Sequence, residues 1–444
     1  MVAVLSTPVA RTRSIDDLAE WRTGDPALGV TRAIRADPLG ALIAPYRLFG
    51  PVFRTRYLNK PVVVIAGLES NEFSWTTKGL WDWHASGTVF REQFGDQYLT
   101  QLDGAAHTAK RKRLSPAFRQ RALQVQSPGM SAVWHEAILD HAGMSFDLRR
   151  LCKQLVVQMS GRVLLQMQLP DGADDDISIL EHDLLFGIGL GPARHLWFRR
   201  PSYVRRKAAF EGLVARVVRE RLADPSGDDL LSVVVREWPE ETPLPSVEEL
   251  VSDMVLLLQA GSESTAHQIL WTLLLCLSRP DWLAALREEL AGWTPEAADS
   301  FATFPRLRAT VLESERLRPA IPMALRVLAS DAEVAGVALP KGTRVLHATT
   351  ITHFLDEIYP QPQAYRPERF LDGGECPHRA HGVYGGGAHI CLGMPLARVE
   401  VPVAVATIFK HADVVLDKAV SMRARLAGAV SPIESSIGAR FVPR

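Results

Sequence analysis

Between Ser246 and Pro280 the chain carries one unbroken helical pattern, and few folds can house it. Ser246 and Glu249, in Ser-Val-Glu-Glu, make a capping box, and Pro280 marks the far end. The roughly 32 residues between would span about 48 Å at 1.5 Å each, the width of a whole domain. Both arms are apolar (Met254 to Leu258, Ile269 to Leu277), as a membrane span would be. Gln259, Ser262, Glu263, Ser264, His267 and Gln268 interrupt the middle, and a buried central helix with a polar waist fits better.

Elsewhere the pattern is helix around a little sheet. Residues 51–66 read as a hairpin, Val52 to Tyr57 and Val62 to Ala66 flanking Leu58-Asn59-Lys60. A second strand-rich patch covers about 323–349, with the turn Pro340-Lys341-Gly342. Helical periodicity runs through 131–167, 202–223, 282–291 and 303–318. This predicts one mainly α domain over residues 1–444 with small, dispersed β-sheets, residues 1–25 being flexible. Hydrophobic residues make up 47% and charged residues 23%, enough apolar material for a large core. Lys plus Arg (50) balances Asp plus Glu (50), so no overall field draws in nucleic acid or an anionic membrane. The N-terminus has no apolar run long enough for a signal peptide or membrane anchor, which predicts a cytoplasmic protein. Cys152, Cys276, Cys376 and Cys391 lack the paired spacing of a disulfide framework or zinc site, in keeping with a reducing interior.

Three constellations could carry chemistry. Tyr384-Gly385-Gly386-Gly387-Ala388-His389-Ile390-Cys391-Leu392-Gly393 stands just before a helical pattern. Its glycines let the backbone fold tightly beneath a flat ligand and turn N–H groups inward. Those donors and the next helix's positive end would stabilise a thiolate at Cys391 and lower its pKa. Gly393 leaves room for a macrocycle; a glycine turn beside a structural cysteine would look the same. In the helix waist, Ala260-Gly261-Ser262-Glu263-Ser264-Thr265 places a glycine where it costs about 1 kcal/mol relative to alanine. Gly261 and Ser264 share a face and outline a groove, and Glu263 with Ser264 supplies an acid and an alcohol suited to proton relay. The alternative is a helix kink with a satisfied polar patch. Glu313 to Pro319 ends a helix in which Glu313 can pair with Arg316, as many surface residues do. His107 and Arg111, four apart on one helical face, and Arg326 and His389 are basic candidates for anionic groups.

Together these pieces resemble the cytochrome P450 superfamily, in its soluble, bacterial type. In family order over about 45–411 stand Asp103-Gly104-x-x-His107-x-x-x-Arg111, Ala260-Gly261-x-Glu263-Ser264-Thr265, Glu313-x-x-Arg316, Pro367-Glu368-Arg369-Phe370 and the cysteine loop. The resemblance implies the P450 fold, with its long central helix over a heme, and a heme-thiolate monooxygenase. It implies heme b with Cys391 as axial ligand to the iron. His107, Arg111, Arg326 and His389 would meet the heme propionates, and Ala260, Tyr384, Gly385 and Gly393 would lie against the cofactor. Gly261, Glu263, Ser264 and Thr265 match the catalytic stretch, with Glu263 and Ser264 as the acid–alcohol pair that passes protons toward dioxygen. Glu313, Arg316 and Arg369 match a buried structural triad behind the heme. Three departures stand out. Ser264 replaces the usual threonine and lacks its restraining methyl. Tyr384 replaces the usual phenylalanine and brings a hydroxyl that needs a partner. Pro402 falls inside the helix after Cys391 and should kink it.

By family position, substrate contacts are expected from Trp81, Trp83, Phe90, Gln259, Ile321, Met323 and Leu325, of which Ile321, Met323 and Leu325 make an apolar wall that implies a fairly hydrophobic small molecule. The high-Arg, high-Ala composition and the lack of an anchor suggest a bacterial enzyme, and analogy with the family suggests tailoring of a secondary metabolite. No flavin- or iron–sulfur-binding extension follows residue 444, so electrons are expected from NAD(P)H through a ferredoxin reductase and a ferredoxin. The ferredoxin would dock on Lys110, Arg111, Lys112, Arg113, Arg119 and Arg121. A second basic stretch, Arg194, Arg199, Arg200, Arg205, Arg206 and Lys207, reads as a lid over the substrate channel rather than a membrane or nucleic-acid surface. Two rivals share the cysteine loop: a peroxide-driven or isomerising heme-thiolate enzyme, and a non-catalytic heme-binding sensor.

Overall fold

The helix read between Ser246 and Pro280 is observed as Val247–Leu277, with the Glu249 amide donating to Ser246 Oγ at 3.1 Å. In this computed structural model residues 13–23, 25–239, 243–296, 300–371, 380–427 and 429–444 are described. The polar waist is buried at Gln259, Ser262, Glu263, His267 and Gln268, while Ser264 opens onto a cavity. The helix can bury polar groups because they find partners: Ser262 bonds the Leu258 carbonyl, and His267 Nε2 lies 2.7 Å from Ser431 Oγ. Trp271, fully buried, donates its indole N–H to the Val430 carbonyl at 2.7 Å. Helices Leu148–Leu165, Pro201–Ala223 and Met394–His411 pack around it and share its hydrophobic core. No single helix among the described residues is long and apolar enough to cross a membrane.

The hairpin forms as strands Val52–Tyr57 and Lys60–Ala66, with Leu58 (φ 49°) and Asn59 (φ 58°) both left-handed, as a two-residue turn matched to strand twist requires. Strand Arg344–Ala348 adds in parallel, Val63 opposite Val345, and strand Ala324–Val327 closes the edge antiparallel, Arg326 opposite Val345. Side-chain alternation along that edge strand sends Arg326 to the cavity and Leu325 toward the small core beneath the sheet.

The structure refines the sequence reading at several points. The pattern over 131–167 is two helices, Ser127–Asp140 and Leu148–Leu165, separated by strand Ser145–Asp147. Gly143 (φ 71°) ends the first, and the strand pairs with C-terminal strand Gly438–Pro443. Helix Ala173–Gly189 escaped notice because Asp174, Asp175 and Asp176 blur its apolar stripe; at a helix N-terminus those charges favour the dipole. Pro402 lies inside helix Met394–His411, as its position after the cysteine loop led one to expect. Residues 13–23 are docked, not loose: Leu18 is buried, and Arg13 and Glu20 bridge to Val337 and Arg54.

Candidate active site

The cysteine loop is closed by the Cys391 amide, which donates to the Tyr384 carbonyl at 3.0 Å. Gly385 and Gly387 (each φ 68°) make the turn that residues with side chains resist. A Cβ on Gly386 or Gly387 would collide with Trp75, whereas one on Gly385 would meet nothing. Two glycines therefore serve packing against Trp75 and one leaves clearance. Cys391 is exposed to a cavity of about 1130 Å³. Burial pushes its thiol up; the Gly393 amide, Arg111 and the Met394 amide pull it down, as expected of the loop, without winning. The lowered thiol pKa expected from the loop is therefore not found. Cys152 and Cys276 are free and buried in the core; Cys376 lies outside the described residues.

The cavity gathers most of the expected residues. Its lining includes His107, Arg111, Arg326, Tyr384, Gly385, His389, Cys391 and Gly393 on one side. Gln259, Ala260, Gly261, Glu263, Ser264 and Thr265 come from the central helix, and Trp81, Trp83, Phe90, Ile321 and Met323 from the surrounding walls. Leu325 is absent from the lining for the strand-alternation reason above. A Cβ added to Gly261 would meet nothing within 4 Å, so the waist does present a groove.

Arg326 fits an anion. Burial alone pushes its guanidinium down to about 10, and its hydrogen bond is to the Leu325 carbonyl. Arg111 is likewise lowered by burial, with the Cys391 charge opposing. Among the described residues neither has a carboxylate within salt-bridge distance. Two half-buried cations lining the same cavity as a thiol are what a dianionic, iron-centred macrocycle would complete. Among the described residues no cluster of three or more His, Cys, Asp or Glu side chains could hold a metal by itself. The imidazoles differ from expectation. His389 stacks between Trp83 and His107 at 3.6 Å from each, and Arg326 lies 4.5 Å from the Trp83 ring. Burial, with His107, Arg326 and Arg111 nearby, pushes His389 down to about 3, and burial lowers His107 as well. Both shifts favour the uncharged imidazole while the two arginines stay cationic.

Neighbours on the central helix, Glu263 and Ser264 point in different directions. Ser264 donates to the Ala260 carbonyl at 2.9 Å on the cavity side. Glu263 reaches back to Lys153 Nζ at 2.7 Å and lies 3.5 Å from His267. Burial works against its charge, but His267, Lys153 and Arg149 outweigh it and hold the carboxyl below its usual range. Lys153 gave no sign in the sequence, being one lysine inside an amphipathic helix. Two further carboxyls were missed, Glu181 and Glu400, each lining the cavity and each pushed up to about 8, in both cases chiefly by burial. Glu400 could have been noticed as the lone acid in the apolar run Val399 to Val405.

Behind the loop, Glu313 and Arg316 are fully buried and bonded twice, at 2.7 and 2.8 Å, with Arg369 Nε 3.1 Å from the same carboxylate. The expected triad is assembled. The Tyr384 hydroxyl finds its partner in Glu315 at 2.6 Å, which Arg398 approaches at 3.1 Å.

Around the lid, Arg194 grips Glu92, Arg200 pairs with Asp183 at 2.7 Å, Arg206 with Asp176 at 2.7 Å, and Lys207 with Glu211 at 2.5 Å. Four of the six cations of that stretch thus meet local acids, which leaves little net field for a membrane or nucleic acid. The expected ferredoxin face is also thinner than its sequence. Lys110 is buried against Asp253 at 2.9 Å and Arg111 turns to the cavity. Arg119 pairs with Glu237, leaving Lys112, Arg113 and Arg121.

The cytochrome P450 family model matches residues 40–435. The chain is 27% identical over 383 residues to the putative cytochrome P450 120 of Synechocystis, covering 82% of this chain and 84% of that one. It is 27% identical over 342 residues to cyclooctat-9-en-7-ol 5-monooxygenase of Streptomyces melanosporofaciens, covering 72% and 74%. Among solved structures, a cyanobacterial CYP120A1 with bound retinoic acid superposes with a TM-score of 0.84 at 23% identity, over 96% of this chain and 99% of that one. The family match spans helices, sheets and cysteine loop alike, so it covers the scaffold together with the site, and the chain belongs to the cytochrome P450 family.

Proposed function

We propose that this cytochrome P450 monooxygenase hydroxylates a fairly hydrophobic small molecule of bacterial secondary metabolism. The observation that carries the reading is the cavity wall: Trp81, Phe90, Leu184, Leu256, Leu257, Ile321 and Met323 face the same space as Cys391. The names of two similar proteins agree with it, one acting on cyclooctat-9-en-7-ol and one holding retinoic acid. Heme b is the family's cofactor; when bound it supplies reductive activation of dioxygen, one oxygen atom entering the substrate and the other leaving as water.

The chain's own contribution is placement and proton supply. Cys391 offers a thiolate, and Arg111 and Arg326 offer charge to two carboxylates. His107 and His389 add N–H donors, and Ala260 and Gly261 keep the groove open. Ser264 holds an exchangeable proton at Oγ, and Glu263 stands one residue away with its carboxylate on Lys153. Having both an acid and an alcohol favours dioxygen chemistry over peroxide-driven or isomerising chemistry, which has no use for the relay. Thr265 and Gln259 line the same wall. Electrons come from NAD(P)H through a separate reductase and ferredoxin in the cytoplasm, the ferredoxin meeting the exposed side chains that remain around Lys112.

The deciding measurement is the reduced carbonyl difference spectrum of heme-loaded protein. A thiolate-type band is expected, and Cys391→Ala should abolish it; a spectrum that survives the substitution, or one of histidine-ligated type, overturns the reading. NAD(P)H-driven turnover with a surrogate ferredoxin should exceed turnover with peroxide alone, and the reverse would favour the peroxide-driven alternative. Lys112→Glu should slow reduction by the ferredoxin up to about tenfold at low salt and flatten its salt dependence.

A further inference from the structure

Among the side chains lining the cavity stand two carboxyls with no role so far, Glu181 and Glu400. Helix Ala173–Gly189 brings Glu181 into the cavity one turn before Leu184 and Leu185, which line it too. Glu181 Oε2 is buried and has no hydrogen-bond partner. Native proteins seldom leave a buried carboxyl oxygen unmatched, because desolvation without a compensating bond is costly. The nearest candidate partner is already engaged: Lys153 lies 2.7 Å from Glu263.

We propose that Glu181 is the polar anchor of the substrate cavity, gripping a hydroxyl or carbonyl oxygen of an otherwise apolar substrate. This deepens, and rests on, the monooxygenase reading above. Burial, with the Glu263 charge adding to it and Lys153 only partly opposing, pushes the Glu181 carboxyl up to about 8. Near neutral pH it is therefore a protonated acid, able to donate its O–H to a substrate oxygen while the other oxygen accepts. A cationic substrate suits it less well. A protonated amine would gain an ion pair only by driving the proton off a carboxyl whose surroundings disfavour the charge. A site built to bond a polar group also rejects an analogue that lacks it, because the site's own group is then left unpaired. One such anchor in an apolar cavity selects an oxygenated hydrocarbon over the bare hydrocarbon and fixes which end enters first.

The test uses full-length, heme-loaded protein and four probes sharing one skeleton: cyclododecane, cyclododecanol, cyclododecanone and cyclododecylamine. Calorimetric titration should show the alcohol and ketone binding at least about tenfold tighter than the hydrocarbon to the wild type. Glu181→Leu should erase that preference while keeping the hydrocarbon's affinity, and Glu181→Gln, whose amide still donates, should keep most of it. The proposal is overturned if Glu181→Leu retains the preference, if the wild type treats the four probes alike, or if the amine binds most tightly. The carbonyl spectrum of each variant, recorded on the same sample, reports the thiolate centre separately. Failure of the underlying reading is thereby told apart from failure of the anchor, and a misfolded variant is recognised.

Discussion

Glu313 and Glu263 are both buried carboxylates on helices near the cysteine, and they live in opposite circumstances. Glu313 receives two bonds from Arg316, one from Arg369 Nε and one from the Arg366 amide at 2.8 Å. Arg316 in turn donates to the carbonyls of His353 and Pro362 at 2.7 and 2.8 Å. Glu263 instead leans on one lysine and an imidazole, with a second carboxyl, Glu181, close enough to feel its charge. A saturated network has one low-energy arrangement and holds a backbone in place. An acid held by fewer bonds can change its direction at lower cost, which a proton relay requires. The difference separates scaffold from working parts without reference to distance from the thiol.

The contrast can be broken at either end. The largest effect belongs to Glu313→Gln, which strands Arg316 as a buried, uncompensated cation and should cost about 3–5 kcal/mol. Heme retention and thermal unfolding should both collapse, and a variant that holds heme normally would remove Glu313 from the scaffold. Next comes Lys153→Met. It takes away a cation that lowers the Glu263 pKa, so the acidic limb of the turnover–pH profile should move upward. The stability sign agrees: a carboxyl depressed in the folded state stabilises above its unfolded pKa and loses that stability as pH falls through its folded value. Acid unfolding of the variant should therefore start at higher pH, and an unmoved profile would show that Glu263 is not in the relay. The smallest change is Ser264→Thr. A β-methyl restricts the hydroxyl, worth a few tenths of a kcal/mol, so the ratio of peroxide to product should fall about twofold.

Much of this was legible in the residues. The central helix, the hairpin and the cysteine loop announced themselves because each depends on local chemistry: a cap, a two-residue turn, consecutive glycines. The Glu313–Arg316 pair was visible as a spacing, but its complete burial was not, since nothing local separates a solvated pair from a sealed one. The C-terminal strands Ala412–Leu416 and Gly438–Pro443 pair with each other, and they were hidden because the second also pairs with Ser145–Asp147, far away in the chain. Leu325 was misplaced by reading proximity along a strand as proximity in space. Lys153 and Glu181 meet Glu263 only through the packing of three helices, and a pairing of that kind leaves no periodic trace.

The ion pairs along the basic stretch expected to form a lid would have a kinetic consequence. Arg194 with Glu92 ties it to helix Thr88–Phe94, and Arg200 with Asp183 ties it to the helix bearing Glu181. Partly solvated bonds of this kind contribute roughly 1 kcal/mol or less each and fade over about 8 Å at physiological ionic strength. A doorway here, fastened by several such weak latches, would admit guests faster as the buffer becomes more concentrated, while what happens to a guest already inside would stay the same.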